Sequence, residues 1–100
     1  MMTISALAAA VDRAAANFTG CTWDLDQPGY DYTADDVAAS AREAAEAGRR
    51  ALDFASLGDW DNAIGEARRA FAAENQYGDA PEWGRVLYLV EAMAEVFDAD

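Results

Sequence analysis

The sequence has no histidine and no lysine; its seven basic residues are all arginine. Without histidine, the commonest general base and the Ser–His and Cys–His nucleophile arrangements are excluded. A helical di-metal site built on Glu-x-x-His pairs is excluded for the same reason. Cys21 is the only cysteine, so no intramolecular disulfide forms and too few soft ligands exist for zinc. A lone thiol fits a reducing, cytoplasmic compartment, and a packed core position is the expectation for it. No glycine-rich phosphate loop is present. No apolar run approaches a membrane span, and no basic amphipathic segment suits a membrane surface. The opening Met1-Met2-Thr3-Ile4-Ser5 lacks the basic region of a signal peptide. The expectation is a protein with no catalytic residues, no cofactor and no bound metal.

Acidic side chains are what the sequence has in excess: nineteen against seven arginines, a formal charge of −12. Such a surface repels nucleic acid and anionic lipid and attracts basic protein surfaces. The hydrophobic content of 53% is enough for one folded core despite that charge, so residues 1–100 are read as a single domain. Much of that content is alanine. Bulk must come from Trp23, Trp60, Trp83, Phe18, Phe54, Phe71 and Phe97.

Apolar spacing of three and four predicts four helices. The first runs from Thr3 to Phe18, with Ile4, Leu7, Ala8, Val11, Ala15 and Phe18 inward, Thr3 or Ser5 as cap and Gly20 as stop. The second opens at Thr33, which with Asp36 forms a capping-box pattern, and runs to Leu57. Its seam is Val37, Ala41, Ala44, Gly48, Leu52 and Ala55. Gly48 costs about 1 kcal/mol inside a helix, so it marks a close contact or a bend. The third runs from Asp59 or Trp60 to Asn75, with Trp60, Ile64, Ala67 and Phe71 on one face. The fourth begins at Pro81, capped by Asp79 or Ala80, with Trp83, Val86, Leu87, Val90, Met93, Ala94 and Phe97 inward. Leu89 and Val96 widen its apolar arc, through central burial or a dimer contact, so both monomer and homodimer remain open. Short connections make this an all-α, compact four-helix bundle with a structured acidic loop between helices 1 and 2.

The stretch Gly58-Asp59-Trp60-Asp61-Asn62-Ala63-Ile64, followed by Ala67 and Ala70-Phe71, resembles the second half of a tetratricopeptide repeat. The likeness spans about residues 47–75. Phe54 stands where that family carries a first-helix aromatic, while Ala51 replaces its usual glycine and Asn75 its terminal proline. The resemblance implies an adaptor that binds a peptide or partner helix, without catalysis.

Residues 21–32 carry the densest chemistry. Counted as an EF-hand loop from Asp24, the third position is Asp26, the sixth Gly29 and the twelfth Asp35, but Pro28 fills the fifth and offers no side-chain oxygen. A calcium-binding module at Asp24–Asp35 is therefore a third reading, behind a solvated acidic turn. The same segment sets Trp23, Tyr30 and Tyr32 among Asp24, Asp26, Asp31, Asp35 and Asp36, with no basic residue from Cys21 to Ser40. Charge assists approach, while aromatic side chains and bidentate arginine pairs hold a basic partner. These eight residues are the candidate partner-binding set. Glu43 with Glu46, and Glu91 with Glu95 and Asp98, make further acidic rows at helical spacing.

In size, charge and lack of catalytic residues the chain resembles small acidic inhibitors of phages and mobile elements, including anti-CRISPR and anti-restriction proteins. Its first five residues match the start of one anti-CRISPR member. The resemblance implies a nucleic-acid-mimic inhibitor, acting in the bacterial host cytoplasm, that occupies the basic groove of a nucleic-acid-binding protein. Direct contact with nucleic acid or membrane is not expected of such a protein.

Overall fold

A computed structural model describes residues 3–18, 34–75 and 81–97. They form four helices: α1 (Ile4–Phe18), α2 (Ala34–Ser56), α3 (Trp60–Asn75) and α4 (Pro81–Phe97). The bundle is all-α, with no strand among the described residues. Each helix contacts its two neighbours in the order α1, α2, α3, α4 and back to α1; α2 and α4 also meet across the centre. The starts of α1 and α3 and the ends of α2 and α4 therefore share one end of the bundle. The ends of α1 and α3 and the starts of α2 and α4 share the other.

Caps account for the sharp boundaries. The Thr3 hydroxyl accepts the Ala6 N–H at 3.0 Å, so of the two candidate caps Thr3 starts α1. The C-terminus of α2 closes in a Schellman motif: Asp59 N–H donates to the Phe54 carbonyl at 2.9 Å, and Gly58 N–H to Ala55 at 3.1 Å. Gly58 sits at φ 79°, where a side chain would strain the backbone. Asp59 then caps α3 at once, its Oδ1 accepting Asn62 N–H at 3.4 Å and its Oδ2 the Asn62 amide at 2.7 Å.

The core departs from the expected one in a consistent direction. Of the seventeen buried hydrophobic residues among those described, ten are alanine. On α3 the buried stripe is Trp60, Ala63, Ala67, Ala70 and Ala73, whereas Ile64 and Phe71 are only half-buried. On α2 it adds Ala47 and Ala51 to Ala41, Ala44, Gly48 and Ala55, and Leu52 moves to the margin. On α1, Leu7, Val11 and Ala14 are buried, while Ile4 is exposed and Ala8 and Ala15 half-buried. Facing alanine rows let two helices approach closely, which leaves no room for large side chains on the same line. The bulk expected from Phe54, Phe71 and Phe97 consequently sits at the margins, and Trp60 and Trp83 fill the interior. The expected placements of Trp23, Val37 and Phe18 lie outside the described side chains.

Gly48 marks a close contact rather than a bend. A Cβ at this position would overlap Cζ3 and Cη2 of Trp83, so the indole lies directly on the α2 backbone. Trp83 is completely buried and is the largest such side chain among the described residues.

Candidate functional site

The candidate partner-binding set falls mainly outside the described region. Trp23, Asp24, Asp26, Tyr30, Asp31 and Tyr32 lie there entirely, as does the proposed calcium loop up to Thr33. Asp35 belongs to the first turn of α2, without a described side chain, and Asp36 is exposed beside it. Carboxylates in a first helical turn face the positive end of the helix dipole. Cys21, the proposed core cysteine, also lies outside.

Charge is unevenly divided along the chain. Twelve carboxylates and all seven arginines have described side chains on or beside the helices. The other seven carboxylates are Asp24, Asp26, Asp31, Asp35, Asp79, Asp98 and Asp100, and no basic residue lies among them. On the helices the two signs are interleaved. Glu66 receives Arg50 Nε at 3.0 Å and Arg69 at 3.6 Å, tying α2 to α3. Glu43 and Glu46 are exposed, but Arg42 and Arg49 stand beside them. Glu91 and Glu95 are exposed on α4. Because α2 and α4 occupy opposite corners, their outward rows face different ways and do not join into one ladder.

One carboxylate is buried instead of exposed. Glu74, in the last turn of α3, accepts the Trp83 backbone N–H at 3.1 Å through Oε1. That N–H belongs to the first turn of α4 and has no partner within its own helix. Glu74 thus caps α4 from the preceding helix. Burial pushes its pKa above the ordinary carboxylate value; the Trp83 bond opposes that shift and the charge of Glu82 adds to it. Sequence reasoning missed Glu74 because it reads as one more polar residue at a helix end. Trp83 Nε1 is buried with no hydrogen-bond partner among the described residues.

The bundle end formed by α1's start, the α2–α3 turn and α4's end holds an open apolar groove of about 450 Å³. Trp60 and Met93 are buried at its base. Ile4, Leu57 and Phe97 line its margin, with Leu57 81% and Phe97 56% exposed. The Phe97 ring stacks on Trp60 at a centroid distance of 6.1 Å and an interplanar angle of 15°. Phe97 was expected in the core. It lies in the last turn of α4, beyond the reach of the central seam, with one face stacked on Trp60. Val96 beside it is 57% exposed, so the wide apolar arc of α4 ends in surface rather than in central burial.

Among the described residues no group of three or more potential metal ligands comes together, and no helix is long and apolar enough to cross a membrane. Among the described residues the arrangement offers an open apolar groove, while the arginine-free acidic segment lies mainly outside them. Comparison with protein-family models, with curated proteins and with solved structures returns no match.

Proposed function

We propose that this protein is a non-enzymatic, acidic binding protein that occupies the basic groove of a nucleic-acid-binding protein and blocks it, in the manner of an anti-CRISPR or other nucleic-acid mimic. The observation that carries the reading is the separation of charge. Every arginine lies on a helix, while residues 21–40, which run into the start of α2, have five aspartates and no cation. A groove built for a duplex meets one phosphate charge per about 1.7 Å of axis, so it has a high positive potential that such a segment can satisfy. Trp23, Tyr30 and Tyr32 supply aromatic anchors among those charges. Interleaved arginines on α2 make its outer face a weaker candidate for the same work.

Displacement from DNA tests this reading. Bacterial lysate proteins are retained on DNA-cellulose, and the purified protein is added as eluant at low salt. The expected result is release of a small number of DNA-binding proteins, lost when salt is raised. A triple variant, Asp24→Lys, Asp26→Lys, Asp31→Lys, should release none of them while keeping its helical circular dichroism. Release by the variant at the wild-type level, or no release by the wild type, rules the reading out.

The adaptor alternative draws on a different observation, the apolar groove, which the next subsection takes up.

A further inference from the structure

Isolated exposed apolar side chains are ordinary on protein surfaces, whereas several around one concavity mark a contact site. Ile4, Leu57 and Phe97 come from three different helix ends and meet around the same concavity over Trp60 and Met93. The charges nearest to these lining residues along the chain have one sign. Asp53 stands one turn before Leu57. Asp59 and Asp61 flank Trp60, while Glu91 and Glu95, two residues from the buried Met93, project from the other side of α4. Asp53, Asp59 and Asp61 are exposed or half-exposed. The nearest arginine in sequence, Arg50, has its guanidinium committed to Glu66. Arg13, Arg68 and Arg85 stand eight or nine residues, two or more helical turns, from the lining residues of their own helices.

We propose that this groove docks a basic amphipathic helix of a partner protein. Its apolar stripe seats over Trp60 and Met93 between Leu57 and Phe97, and its cations face Asp53, Asp59 and Asp61 at the α2–α3 turn. Helix-in-groove recognition uses apolar anchors at spacings of three, four and seven, a pattern that suits a short apolar trough. Flanking cations complement the carboxylates that neighbour Leu57 and Trp60 along the chain, speeding encounter and fixing orientation. A second copy of this chain is the poorer occupant, because it would bring Asp53, Asp59 and Asp61 against their own counterparts on chains of charge −12. The proposal does not depend on the acidic segment between α1 and α2.

The probe is a fluorescein-labelled Leu/Lys peptide of about 18 residues, roughly five helical turns, patterned to form one apolar stripe. A scrambled peptide of the same composition serves as control, and binding is read by fluorescence anisotropy. Tighter binding of the patterned peptide by about tenfold or more is expected. Leu57→Ser and Phe97→Ser together should weaken it by a similar factor without changing net charge. Leu57→Ser alone gives a second reading on a side chain whose exposure makes its loss harmless to the fold. The Asp24, Asp26, Asp31 triple Lys variant should retain affinity within about threefold, which separates failure here from failure of the DNA-mimic reading. Equal binding of both peptides, or unchanged affinity in the serine variants, overturns the proposal. So does a dimer in sedimentation that Leu57→Ser dissociates, which assigns the groove to a second copy.

Discussion

Trp60 and Trp83 both sit in the first turn of a helix, and both are buried, but the bundle treats them differently. Trp83 lies against bare α2 backbone at Gly48, and its own N–H is held by Glu74. Trp60 is covered by a half-exposed Phe97 and forms the base of an open groove. One tryptophan closes an interior; the other leaves an edge that a further molecule can complete. The difference lies in the opposing residue. Glycine admits an indole fully, whereas a terminal phenylalanine can only lean on one.

Replacing each tryptophan is the sharpest way to break that contrast. Trp83→Ala should cost about 3–5 kcal/mol, because it empties a fully enclosed site, as measured by urea denaturation. Gly48→Ala should also destabilise the fold, although alanine is the better helix former by about 1 kcal/mol. The added methyl has no space beside the Trp83 ring, and overpacking of this kind costs about 1–3 kcal/mol. A Gly48→Ala variant more stable than wild type would show that the indole has room to move. At the open end, Leu57→Ser should shift stability by no more than about 0.5 kcal/mol.

Glu74 sharpens the closed end further. Its pKa is raised by burial, so the folded state prefers the protonated form. The stabilisation from that preference is present below the ordinary carboxylate pKa and is lost as pH rises through the raised value. Glu74→Gln retains an acceptor for Trp83 N–H and carries no charge. Its stability relative to wild type should therefore increase from acid to neutral pH, read as the difference in Tm between the two proteins. Glu74→Ala, which removes the acceptor, should cost about 1 kcal/mol and leave α4 starting less firmly.

Element boundaries were legible in the sequence because their chemistry is local. Thr3, Gly58 and Asp59 each stop or start a helix through bonds to residues within five positions. Which face turned inward was less legible. Periodicity ranks positions by side-chain hydrophobicity, so it selected Ile64 and Phe71 on α3. The bundle instead buries the alanine row beside them, because helix separation depends on the smallest side chains and not the most apolar. The ambiguity at Gly48 between contact and bend needed the position of a residue thirty-five places later. The groove was illegible for the same reason, since Ile4, Leu57 and Phe97 are distant in sequence, Ile4 and Phe97 read as core, and Leu57 reads only as the end of α2. The acidic segment, by contrast, is a statement about composition that needs no coordinates, and it remains the ground for the proposed function.

The meeting of Gly48 and Trp83 also decides how far along its neighbours α4 can travel. Alanine rows look nearly alike at every turn, so a helix sliding by about 5.4 Å would find much the same surface again. On α2 the next places along the row are Ala44 and Ala51, and each bears the methyl that Gly48 lacks. Only one notch accepts the key, and a repetitive seam thereby acquires a single register.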